Sequence, residues 1–179
     1  MRPFSQRASF SLALLAAAGS AVVGCGGGGS SGGGSASVAP PITSGASFTN
    51  VGPLNRARVY HSATLLADGR ILIAGGLVGP NAATNEVEIF DPATGLVTAA
   101  APMGTARMQH EAVLLPTRKV LVIGGVSARL GAGLSTTELF DPATGRWSPG
   151  PNLTEGRAAP TAALYDQGRK VLIGGGYTF

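Results

Sequence analysis

The chain has 179 residues, 28 of them glycine, with 44% apolar and only 12% charged side chains. That is too apolar for a disordered chain and too rich in glycine for a helical one, and it suits short strands joined by tight turns. The net charge of +4 includes Arg2 and Arg7, and beyond them the basic residues come only in pairs such as Arg118-Lys119 and Arg169-Lys170. Nucleic-acid binding requires a basic stripe, so that class of partner is excluded.

Residues 1–24 read as an export signal. Arg2 and Arg7 form a positive head, and Phe10 to Val23 is an apolar stretch rich in Ala and Leu. It falls short of the ~18–20 residues a membrane-spanning helix needs and fits the apolar region of a signal peptide. Val22-Val23-Gly24-Cys25 then resembles the lipobox of bacterial lipoproteins. The resemblance implies that Cys25 is diacylated, becomes the first mature residue and anchors the chain to a membrane. An ordinary signal peptide cut near Ala21, with Cys25 as a spare thiol, is the alternative. As the only cysteine, Cys25 has no internal disulfide partner. In a source with two membranes, Gly26 after the cysteine, rather than Asp, implies the outer membrane. Residues 25–46 are a Gly/Ser-rich linker stopped by Pro40-Pro41, a flexible coil spanning roughly 25 Å.

Beyond the linker the chain repeats itself. Aligned on Arg58, Arg107 and Arg157, three copies of an arginine-led segment recur at steps of 49 and 50 residues. EIFDPATG, ending at Gly95, returns as ELFDPATG, ending at Gly145. Such a period means one supersecondary unit packed on copies of itself.

The first unit reads as four strands. Tyr60–Leu66 is β-capable and ends at Asp68-Gly69, a strong hairpin signal. Ile71–Ala74 is a short apolar run that suits a strand buried on both faces, stopped by Gly75-Gly76. Leu77–Thr84 is expected to be a loop. Glu86–Phe90 is the third strand, and Asp91-Pro92-Ala93-Thr94-Gly95 is a turn in which Asp caps the backbone, Pro presets φ and Gly takes the left-handed position. Leu96–Ala100 is the fourth strand. Outside the leader no segment sustains a 3.6-residue period, so a helical solenoid is excluded.

Four antiparallel strands per repeat describe a propeller blade. The chain resembles bacterial kelch-repeat proteins through the arginine-led strand, the paired glycines (Gly75-Gly76, Gly124-Gly125, Gly174-Gly175), the F-D-P-x-T-G turns with Asp91 and Asp141, and the apolar residue ten positions before each arginine: Phe48, Val97 and Trp147. The resemblance covers 47–179. It implies an all-β fold of kelch-type blades at 58–106, 107–156 and, in part, 157–179. The paired glycines are expected where blades crowd near the central axis. Phe48–Leu54 reads as a lone fourth strand, so the chain holds less than half of a typical ring. A truncated reading frame is the favoured explanation. Ring completion by another chain and a stable open arc are the alternatives.

For function, recurrence separates scaffold from site. Arg58, Arg107, Arg157, Glu88 and Glu138 recur in phase, as structural Arg–Glu pairs bracing strands would. His61 and His110 share one slot, which Pro160 fills in the third unit, and without a third ligand in phase they read as core or hydrogen-bonded histidines and not as a metal site. The longer, variable loops carry binding specificity. The candidate ligand face therefore holds Tyr60, His61, Gln109, His110 and Arg129, with Asn81 and Glu111 beside them. No catalytic set and no cofactor is expected. The main reading is an envelope-anchored binding module for a glycan or protein. The alternatives are a fragment of a kelch-type carbohydrate-active enzyme, galactose-oxidase-like or sugar-acid-mutarotase-like, or an inactive truncated product. Copper-radical oxidases of the first type need a cysteine cross-linked to tyrosine, and Cys25 is committed to the lipobox.

Overall fold

A computed structural model describes residues 11–14, 49–129 and 131–178. Cys25, the linker, Phe48, Leu130 and Phe179 lie outside the described residues, and all regular structure within them is β-strand. Strands β1 (Ser11–Leu14) and β2 (Thr49–Pro53) pair antiparallel in a small sheet. The expected lone strand at 48–54 is thus paired, though not to a blade.

The first four-stranded antiparallel sheet contains β3 (Ser62–Leu65), β4 (Ile71–Ala74), β7 (Val87–Asp91) and β8 (Leu96–Ala100), hydrogen-bonded in that order. Between its second and third members lies a two-residue ladder, β5 (Leu77–Val78) with β6 (Ala82–Ala83), where a plain loop was expected. The second sheet repeats the order with β9 (Glu111–Leu114), β10 (Val120–Ile123), β11 (Thr137–Asp141) and β12 (Arg146–Pro149). The register repeats too: Ile71 faces Phe90 as Val120 faces Phe140. A third sheet holds β13 (Thr161–Tyr165) and β14 (Lys170–Gly174). These are all-β, kelch-type propeller blades.

The core follows from the pattern. Strands β4 and β10 are apolar throughout and every residue in them is buried, because each is an inner strand of a sheet packed on both faces. The main cluster fills the seam between the blades: Leu66, Leu72 and Val87 from the first meet Val120, Val122 and Phe140 from the second, with Met103 between them. Leu54 seats on Ile71, Ile73 and Phe90 of the first blade, one period before Met103. Each such side chain contributes about 1.5–3 kcal/mol. In the Asp-Pro-Ala-Thr-Gly turns, Asp91 and Asp141 each accept the N–H two residues on, from Ala93 and Ala143. Gly95 and Gly145 take the left-handed conformation at φ +72° and +67°, as the turn requires.

Candidate functional site

Two of the in-phase arginines, Arg58 and Arg107, sit at the heart of their blades. Arg58 donates through Nη1 to the carbonyls of Gly75 and Glu86 and through Nη2 to Glu88 Oε1 at 2.9 Å. Arg107 repeats this with the Gly124 and Thr136 carbonyls and Glu138 Oε1 at 2.8 Å. Both guanidinium side chains are fully buried. Burial pulls the Arg107 guanidinium below its usual range, and the Glu138 carboxylate opposes that shift. Each pair ties the inner strand to the third strand.

The two glutamates differ. Glu138 also accepts the backbone N–H groups of Gly104 and Thr105, at 2.6 and 3.0 Å, so it clasps the connection entering its own blade. Glu88 Oε2 has no partner. Its phase-mate connection is occupied by Arg56, which pairs with Glu86 at 2.6 Å.

Glycine pairs carry the contact between blades. The Gly76 N–H donates to the Arg107 carbonyl at 2.9 Å, and the Gly125 N–H to the Arg157 carbonyl at 2.8 Å. A Cβ on Gly125 would lie 2.6 Å from the Met108 carbonyl oxygen, a distance that real side chains do not adopt. In the third unit the pair shifts by one. Gly175 receives Arg157 Nη1 and Gly175-Gly176 have φ of +64° and +79°, whereas Gly174 is the last residue of β14. The cause is an added turn residue: Asp166, Gln167 and Gly168 are all left-handed.

The expected first strand, Tyr60–Leu66, is broken at its start. Val59, Met108 and Ala158 each form an isolated bridge to the loop after the second strand, at Leu77, Val126 and Tyr177. The residue after each, Tyr60, Gln109 or Ala159, has φ of +57°, +52° or +49°. Left-handed backbone is an outlier for a bulky residue such as tyrosine. The three are joined across the blades, because the Gln109 N–H donates to the Tyr60 carbonyl and the Ala159 N–H to the Gln109 carbonyl. This belt has no signal in a residue-by-residue reading, since Tyr, Gln and Ala share no chemistry. Only their position in the repeat links them.

The belt turns its side chains outward. Tyr60 is 56% exposed, and the Tyr177 hydroxyl donates to Gln109 Oε1 at 2.6 Å. Tyr177 joins the site from outside the residues expected there. His110 leaves it: the imidazole is buried, and its Nε2 lies 2.9 Å from Ser62 Oγ across the seam. Burial, with the charges of Arg107 and His61, holds His110 down to about 3, so it is neutral at pH 7. His61 is half-buried, and its ring is also pushed down by burial and by Arg58. Arg129 and Asn81 are exposed on loops, and Glu111 lies in β9.

Among the described residues no group of three His, Cys, Asp or Glu side chains is placed to hold a metal. No curated protein matches the chain. Among solved structures it is similar to a fungal alcohol oxidase in complex with copper, at 26% identity and a TM-score of 0.57. That match covers 66% of this chain and 28% of the oxidase, so the chain spans under a third of it. With two imidazoles and no third ligand, the described residues do not form a copper site of their own. The Kelch motif model matches residues 58–104 and 112–154, which with the blade geometry above establishes that the chain belongs to the kelch-repeat family.

Proposed function

We propose that the chain is a bacterial envelope lipoprotein whose blades form a binding module, anchored by a lipid on Cys25 and holding a glycan or protein at the mouth of the inner strands. One observation carries the binding reading: the belt Tyr60–Gln109–Ala159. Left-handed backbone at non-glycine residues costs about 1–3 kcal/mol each and clusters at functional sites, where the strain aims side chains. Here it presents an exposed phenol beside a Gln–Tyr hydrogen-bonded pair, groups that offer an apolar ring and polar edges together. Arg58, Arg107, Glu88 and Glu138, by contrast, are occupied in bracing the blades.

A second reading is favoured by the structural likeness to the copper-bound oxidase: the chain as part of a kelch-type carbohydrate-active enzyme.

The test uses the full chain against a glycan array and a peptide array. Binding should fall at least tenfold in Tyr60→Ala and Gln109→Ala, with unfolding midpoints unchanged. Wild-type affinity in both variants would remove the mouth as the site. Anchoring is tested separately. Cys25→Ser should move the chain from the membrane to the soluble fraction, and an unaltered membrane fraction would refute lipidation.

A further inference from the structure

The seam between the two complete blades holds a cavity of about 350 Å³ beside the outer strand β12. That is the small end of ligand pockets, which run from about 300 to 1,000 Å³. Thr136 and Glu138 line it from the start of β11, Trp147 and Pro149 from β12, and Thr105 and Asn152 from the connections entering and leaving the second blade. In the ladder Glu138 stands opposite Pro149 and Phe140 opposite Trp147. These four side chains therefore share one face of the sheet, and Phe140 packs with residues of the first blade. The cavity is walled by neighbouring blades that are both complete.

The first blade offers the comparison. There Arg56 and Glu86 hold the repeat positions of Thr105 and Thr136, and they form an ion pair at 2.6 Å. Val97 holds the position of Trp147, and Pro102 that of Asn152. The second blade thus exchanges a charged pair for two threonines, a valine for an indole and a proline for an amide. Charge leaves, while a flat ring and uncharged hydrogen-bonding groups arrive. The brace requires none of these exchanges, since Arg58 and Glu88 pair without them just as Arg107 and Glu138 do.

The groups are held ready. The indole N–H donates to the Ala101 carbonyl at 2.8 Å, and the Phe140 ring lies 5.0 Å from the indole, centroid to centroid, so the ring is fixed. The Glu138 carboxylate is taken by Arg107 and by the Gly104 and Thr105 N–H groups, so its charge is answered within the protein. The Thr136 hydroxyl accepts from Arg107 Nη2 at 3.3 Å and keeps its own proton to donate. The Thr105 hydroxyl and the Asn152 amide have no hydrogen-bond partner among the described residues, and each can both donate and accept.

We propose that this cavity binds a neutral hexose, packed on Trp147 with its hydroxyls bonded to Thr105, Thr136 and Asn152. A sugar ring offers an apolar C–H face to the indole and edges that donate and accept, which the three polar side chains match. A charged ligand finds no free counter-charge there, and burying an unpaired charge is costly. The cavity lies beside an outer strand, whereas Tyr60 and Gln109 stand where the inner strands begin, so this site stands or falls separately from the mouth.

Trp147 is the single tryptophan, so its emission reports the cavity directly. The full chain is titrated with glucose, mannose and galactose, and with glucuronate as the charged control. At least one neutral hexose should shift the emission saturably, and glucuronate should bind at least tenfold more weakly than that hexose. Thr105→Val and Asn152→Ala should each weaken binding about tenfold, the value of one hydrogen bond, with urea midpoints unchanged. Tyr60→Ala should leave the signal as in the wild type. The glucuronate comparison needs no variant, so the proposal stays falsifiable if a variant does not fold. No saturable shift at hundred-millimolar hexose, wild-type affinity in both cavity variants, or equal affinity for glucuronate would overturn the proposal. So would a signal lost in Tyr60→Ala, which would place the sugar at the mouth.

Discussion

Glu138 and Glu88 occupy the same repeat position, yet replacing each by glutamine should give different losses. Glu138 holds three donors: Arg107 Nη2 at 2.8 Å, and the Gly104 and Thr105 N–H groups at 2.6 and 3.0 Å. A glutamine there turns an NH₂ group toward one of those backbone donors and leaves a buried guanidinium without its countercharge. Removing one partner of a buried pair costs about 3–5 kcal/mol. Glu88 holds only Arg58, at 2.9 Å, with its second oxygen unpartnered. The amide oxygen of Glu88→Gln can keep that bond, and its NH₂ meets no competing donor. Arg58 also retains Glu86 at 3.5 Å. The loss should then be about 1–2 kcal/mol, near the value of one charge-assisted hydrogen bond. Urea unfolding followed by the single tryptophan, Trp147, separates the two variants. With a slope of about 1–3 kcal/mol per molar, Glu138→Gln should unfold roughly 1–2 M earlier than Glu88→Gln. Equal midpoints, or a larger loss in Glu88→Gln, would refute the idea that clasping the blade entry is what Glu138 adds.

Other outcomes follow from the same geometry. The depressed His110 pKa means that the unfolded chain takes up the proton more readily below pH 6.5, so stability should fall as pH drops from 6.5 toward 3. The loss is about 2 kcal/mol by pH 5. His110→Gln should remove most of that slope, His61 contributing with the same sign, as urea midpoints at pH 7.5 and 5 would show. Asp141, held low by the Ala143 N–H and Lys119, acts with the usual carboxylate window, losing its stabilisation as pH falls below about 4. Gly69→Ala, at φ +88° with open space around it, should cost about 1 kcal/mol. Gly76→Ala places a Cβ 2.8 Å from the Val59 carbonyl oxygen and 3.0 Å from the His61 Cβ. It should cost about 2 kcal/mol more in the same urea assay, and equal losses would remove the close-approach argument. Trp147→Phe keeps a ring against Phe140, now at a 5.0 Å centroid separation, but loses the indole bond to the Ala101 carbonyl at 2.8 Å. A fall of about 1 kcal/mol is expected by circular dichroism.

The sequence by itself determined the blades, because a fifty-residue period leaves one packing solution: every copy must bury the same apolar strands against its neighbours. Ile71–Ala74, the Asp-Pro-Ala-Thr-Gly turns and the in-phase arginines and glutamates were legible in that period, since each repeats in type as well as in place. Tertiary structure alone decided what depends on neighbours across a seam. Tyr60, Gln109 and Ala159 share no side-chain chemistry, and their common left-handed backbone is imposed by the bridge before each of them and the backbone hydrogen bonds between blades. The glycine pair of the third unit moved to Gly175-Gly176 because an added residue was absorbed in a turn, which alignment on the leading arginine does not locate. Arg157 looks identical to Arg58 and Arg107 as a letter. Only the assembled sheets show that Arg58 and Arg107 are fully buried on Glu88 and Glu138, because hydrogen-bond satisfaction is a property of neighbouring strands.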